Sequence, residues 1–186
     1  MAKPILTSTS NSRKLFPARI PLVDLRYKHL EAALAEVLSV RLEQMGAFRA
    51  RLRHLRNIGL PLTQRPGKGS HITYSGDNAL EMLLTLQLQD LGHPPSRAWV
   101  YSSVIMMNLP PSFLKDKAVT YAITYPTVLP VGPEQLWHKA VFAKLCFGLD
   151  QLMECIKEAP PAFYIVNVTE RGKKLVDALN RAVASL

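Results

Sequence analysis

The chain has 186 residues, 48% of them hydrophobic, which is enough for a packed core and too many for a disordered polymer. It carries 23 Lys and Arg against 14 Asp and Glu, a formal net charge of +9. No run of about 18 apolar residues occurs; the best candidate, Ala98 to Leu109, is broken by Ser102, Ser103 and Asn108, so a membrane-spanning helix is excluded. The stretch after Lys3 is rich in Thr, Ser and Asn and does not read as a secretory signal. Cys146 and Cys155 form neither a CxxC nor a Cys/His cluster, which gives no disulfide framework and no zinc spacing and fits a reducing cytoplasm.

The positive charge is unevenly placed. Up to Ser75 there are 13 basic and 4 acidic residues, and from Gly76 onward there are 10 of each. A basic part beside a neutral part suggests a polyanion-binding face. Residues 1–22, with Arg13, Lys14 and Arg19 among Ser, Thr, Asn and Pro, read as a flexible basic arm. Asp24 to Val40 is helical in pattern, with Leu30, Leu34, Val37 and Leu38 on one face. A second helix is expected over Ala47 to Ile58, its apolar stripe being Phe48, Leu52, Leu55 and Ile58. Gly59 is placed as its C-cap, and Pro61 follows.

Between the apolar positions of that second helix stand Arg49, Arg51, Arg53, His54 and Arg56. All four cations are Arg, whose planar fork suits phosphates and guanine edges, and no acid lies between Glu43 and Asp77 to neutralise them. The Pro66-Gly67-Lys68-Gly69 turn, with Ile72 and Tyr74 alternating beyond it, predicts a small hairpin with Arg65 and Lys68 near its tip. The spacing of a phosphate-binding glycine loop is absent. A third helix opens near Ser75, Asp77 or Asn78, carries Leu80, Leu83, Leu84, Leu88 and Leu91, and ends at Gly92; another is expected over Arg97 to Met107.

Leu52-Arg53-His54-Leu55-Arg56-Asn57-Ile58-Gly59-Leu60, a glycine-containing hairpin ending in Tyr74-Ser75, and a leucine helix closing with Leu88-Gln89-Asp90-Leu91-Gly92 resemble the MerR-type winged helix-turn-helix over roughly residues 30–107. The resemblance implies a prokaryotic-type domain over residues 23–108 whose recognition helix and wing bind double-stranded DNA. Arg53 matches the family's recognition-helix arginine, and His54 stands where the family usually has a tyrosine. Arg49 and Arg51 fall on the leading part of that helix as base readers, with Arg56 on the backbone. Ile72 replaces the wing arginine, which moves the expected wing contacts to Arg65, Lys68 and His71, with Tyr74 at the wing's end. The family's long dimerising coiled coil has no counterpart here.

Residues 109–186 predict a neutral α/β or α+β unit. Its elements are a strand over Val119 to Tyr125, a helix from Pro133 to about Lys157 through Leu136, Ala140, Ala143 and Phe147, a strand over Ala162 to Val168, and a last helix capped by Thr169. The fold class expected is mainly α with small β. Glu134 and His138 are one helical turn apart, which suits a surface hydrogen bond better than acid–base work. Cys146 is expected buried on a helix and inert, and no catalytic grouping, metal site or cofactor is foreseen.

The function expected is sequence-specific transcriptional regulation by a cytoplasmic, nucleoid-associated homodimer. The second part of the chain would serve assembly, sensing or contact with RNA polymerase or another protein. An architectural, excisionase-like DNA-bending factor and an adaptor for an acidic protein partner are the alternatives.

Overall fold

A computed structural model describes residues 18–22, 24–60, 72–125, 143–159 and 162–185. The expected hairpin tip with Arg65, Lys68 and His71 lies outside these residues, as do most of the amino-terminal arm and Glu134 and His138. The protein is mainly helical with a small sheet: α1 (Tyr27–Val37), α2 (Met45–Asn57), α3 (Gly76–Asp90), α4 (Pro95–Asn108), β1 (Thr120–Thr124), β2 (Ala143–Phe147), α5 (Leu149–Lys157), β3 (Tyr164–Asn167) and α6 (Val168–Ala184).

Helix α1 begins later than its apolar pattern because Asp24 takes φ 60°, a left-handed conformation that a helix cannot include. It stops before Ser39, at φ 54°, and a single 3-10 turn, Leu42–Gln44, leads into α2. Helix α2 buries Phe48, Leu52 and Leu55 and ends at Gly59, whose φ of 99° is the glycine-favouring cap that the sequence predicts. Leu25 and Tyr74 pair in an antiparallel bridge, N to O 2.9 Å in both directions, which ties the entrance of α1 to the entrance of α3.

Ser75 caps α3 by a reciprocal exchange: the Asn78 N–H donates to Ser75 Oγ (3.1 Å) and the Ser75 N–H to Asn78 Oδ1 (3.0 Å). Met82 to Leu88 are buried without interruption, so α3 is the central helix and its leucines serve packing on all sides. Thr85, the polar residue in the middle of that run, shares a 2.6 Å hydrogen bond with Ser102 of α4 and donates to the Glu81 carbonyl (2.8 Å). The Asp77 carboxylate accepts the backbone N–H groups of Arg19 (3.1 Å) and Ile20 (2.9 Å), while Arg19 Nε donates to the Leu109 carbonyl (2.8 Å). Residues 19–20 are thereby clamped across α3 and the end of α4.

The strands form an antiparallel sheet in the order β2-β1-β3, with Ala122 opposite Leu145 and Val166. Antiparallel pairing makes this part of the chain α+β. Ala122 faces the main helical core, and Ile123 faces a smaller cluster with Cys146, Leu152 and Cys155 beneath α5. Both faces of β1 are therefore covered. The main core runs from Ile20 to Ala182, and α6 packs along α1, so the apolar interior continues across the boundary near Asn108. The buried His93 reaches the sheet from the α3–α4 turn, 3.4 Å from Thr124 Oγ1 and edge-on to the rings of Tyr101 and Tyr164.

Two expectations change. Of the helix predicted to run through Ala143 and Phe147 to Lys157, the described residues are helical only from Leu149, and Ala143, Cys146 and Phe147 lie on strand β2. Gly148, at φ 88° and ψ 168°, is in a region open essentially to glycine alone and separates β2 from α5. The cap of α6 is Asn167, which accepts the Glu170 N–H (2.9 Å); Thr169 Oγ1 instead accepts the Thr120 N–H (2.8 Å) and joins α6 to β1.

Two glycines of similar helical context should respond oppositely to alanine. A Cβ on Gly76 would meet Ile20 Cγ2 at 2.2 Å and the Ile20 carbonyl at 3.0 Å, so Gly76→Ala should cost about 2–3 kcal/mol in a denaturant titration. Gly46 has open space around its Cβ position, and Gly46→Ala should stabilise by about 0.5–1 kcal/mol. Glu81 is held between α3 and α4 with Ser103 Oγ donating to it at 2.9 Å, and burial raises its carboxyl above the ordinary 4.5. The folded state thus holds the proton more tightly than the unfolded chain, and the stability this gives is lost as pH rises through the folded value. Melting temperatures of Glu81→Gln and the parent should coincide near pH 4, and the variant should be the more stable at pH 7.

Candidate nucleic-acid interface

Burying Phe48, Leu52 and Leu55 turns the opposite side of α2 to solvent, and Arg49, Arg53, His54 and Arg56 are all exposed there. Arg49, Arg53 and Arg56 follow at intervals of four and three, so they form one row along the helix. Helix α1 borders this row. Arg49 Nε donates to Glu31 Oε1 at 2.7 Å, and the Arg56 guanidinium lies over the Tyr27 ring, 5.4 Å from its centroid. The Glu31 carboxylate holds the Arg49 pKa above its ordinary value, and burial, then Glu31, raises that of the Tyr27 hydroxyl.

Arg51 points the other way. Its guanidinium reaches the carboxyl end of α3, donating to the Leu86 carbonyl at 3.1 Å and pairing with Asp90 Oδ1 at 2.8 Å. A cation at a helix C-terminus satisfies carbonyls that lack partners and complements the helix dipole. Arg51 is therefore a strut between α2 and α3. Tyr74 is 3% exposed and belongs to the core, where burial raises its hydroxyl pKa and the nearby Arg56 lowers it. Among the described residues, Arg53 and His54 have no side-chain partner.

The sequence suggested that no acid neutralises this arginine row. In the fold the acids come from elsewhere: Glu31 from α1 and Asp90 from α3. Sequence reasoning also passed over Arg26 and Lys28, which flank the Tyr27 that Arg56 covers and are exposed at the start of α1. Their signal was the same charge arithmetic, read on the wrong side of the turn.

Elsewhere, a groove of about 550 Å³ lies between the ends of α1 and α3, strand β3 and the first turn of α6. Its acids, Asp90 and Glu170, are already paired with Arg51 and Lys174. Among the described residues no group of three or more His, Cys, Asp or Glu side chains could hold a metal ion, and no helix is long and apolar enough to cross a membrane. Neither a family model nor a curated protein matches the chain.

The two leading arginines should separate by assay. Arg51→Ala should lower the melting temperature by roughly 2–4 °C, the equivalent of about 1 kcal/mol for a chain of this size. Arg53→Ala, an exposed change without a described partner, should leave the unfolding free energy within about 0.5 kcal/mol of the parent.

Proposed function

We propose that the α1–α2 pair is the DNA-reading part of a sequence-specific transcriptional regulator of the winged helix-turn-helix type. The observation that carries the reading is the exposed row Arg49, Arg53 and Arg56 with His54 beside it, on a helix whose other side is locked into the core. An exposed helix of 13 residues presents a rigid face of the size a major groove admits. Arg53 and His54 would meet base edges or phosphates directly. Arg49 would exchange Glu31 for a phosphate oxygen, and Arg56 would stay on Tyr27 beside the backbone. The Leu25–Tyr74 bridge supports the resemblance from another direction, because it fixes the chain on either side of α1 and α2 at one point.

One such module buries a modest area, so useful affinity calls for two copies on spaced half-sites. The exposed Leu149 and Met153 of α5, with Phe147 beside them, support a contact role for the carboxyl-terminal part.

Selection of bound fragments from genomic and random DNA, repeated at about 50 and 200 mM salt, tests the proposal. A reproducible motif that persists at the higher salt is expected. Equal binding of all fragments, collapsing by about 10³ or more over that range, would favour the architectural alternative. On the selected site, Arg53→Ala should weaken binding by about 1–3 kcal/mol while the melting temperature holds. Glu31→Gln should strengthen it, because the competing carboxylate of Arg49 is gone.

A further inference from the structure

The chain's two cysteines are nine positions apart, on different elements, and the fold brings them together. Cys146 is on β2 and Cys155 on α5, and they share the small cluster with Ile123 and Leu152. Both are free thiols, 0% and 4% exposed, and both are packed in that one four-residue cluster. The Lys144 ammonium lies 3.5 Å from Glu158 Oε2, and Cys155, then Glu158, holds its pKa above the ordinary value. From the meeting of the two thiols in one cluster between β2 and α5 we infer that Cys146 and Cys155 are a dithiol–disulfide pair, a modification site that a low-molecular-weight disulfide oxidises and that fastens α5 to β2.

The order of attack follows from the surroundings. Cys155 is the more exposed of the two, and Cys146 is the thiol whose ionisation burial opposes, so Cys155 is the first nucleophile. It attacks one sulfur of the small disulfide, forming a mixed disulfide and expelling one small thiolate. Burial first, then the neighbouring Cys155, push the Cys146 thiol up to about 12. Once Cys155 is in the mixed disulfide, it no longer bears the thiolate that opposes ionisation of Cys146. Cys146 then loses its proton, attacks Cys155 Sγ, and expels the second small thiolate. Two protein thiols are oxidised, one disulfide is reduced to two thiols, and the two protons pass to the leaving thiolates.

Access requires α5 to lift locally. It is a nine-residue helix with Leu149 and Met153 turned to solvent, an element suited to opening without global unfolding.

The test is incubation of the native full chain with glutathione disulfide, followed by intact mass measurement and peptide mapping. Loss of two hydrogens, with a Cys146–Cys155 cross-linked peptide and reversal by dithiothreitol, is the expected result. Cys146→Ala should trap one glutathionyl group on Cys155, whereas Cys155→Ala should leave Cys146 unmodified. Circular dichroism of each variant establishes that it is folded. The inference fails if the native chain keeps both thiols while the urea-unfolded chain oxidises, or if Cys155→Ala reacts as fast as Cys146→Ala.

Discussion

Helix α3 has no solvent face from Met82 to Leu88, and the placement of most other elements follows from that constraint. A helix that is apolar all round must be surrounded, and here α1, α4 and α6 surround it. Its middle is closed by Thr85 and Ser102, so the hydroxyl that interrupts the apolar run bonds to α4. Its two ends do different work. At the amino end Asp77 gathers the N–H groups of Arg19 and Ile20, and at the carboxyl end Leu86 and Asp90 take the guanidinium of Arg51. The second contact sets the rotation of α2. With Arg51 tied down on one side and Phe48, Leu52 and Leu55 buried, the Arg49–Arg53–Arg56 row has one direction to face.

The carboxyl-terminal part is coupled to the same core. Helix α6 runs against α1, with an Arg181–Glu36 ion pair at their border, and Thr169 of α6 holds the first residue of β1. Helix α1 therefore has two obligations, since its other flank carries Glu31 and Tyr27 beside the arginine row. A shift of α6 would be felt at that row through α1, across one helix diameter, and through α3 by way of Arg51. A chain cut near Asn108 would lose α6 and leave apolar surface of α1 and α3 uncovered.

Much of the helical part was legible in the residues because its signals are local. Ser75 with Asn78, Gly59 and Gly92 each mark an end by a cap that depends on neighbours three or four positions away. The same logic failed at 143–147, where Ala140, Ala143 and Phe147 fit helical spacing, yet pairing with Tyr121 and Ala122 of β1 decides the conformation. Gly148 was the available warning. Thr169 was read as a cap because a hydroxyl at a helix start usually is one, but Asn167 took that role two positions earlier. The charge partners of α2 and the meeting of Cys146 with Cys155 depend on contacts between separate elements, which no local pattern encodes.

The arginine content of α2 acquires a second explanation from the fold. In the sequence, four arginines and no lysine between Arg49 and Arg56 point to phosphate and base recognition. Two of the four are engaged inside the protein: Arg51 Nη2 meets a carbonyl and a carboxylate at once, and the Arg56 guanidinium sits over the Tyr27 ring. Arg49 is also engaged, although its 57% exposed side chain and surface carboxylate partner make an exchange for phosphate cheap. Composition alone thus overstated the number of cations waiting for a polyanion. What the fold leaves on the exposed side of α2 is narrower: a row aimed outward by the core, one arginine at its centre with no partner among the described residues, and a flanking Arg49–Glu31 ion pair at the surface.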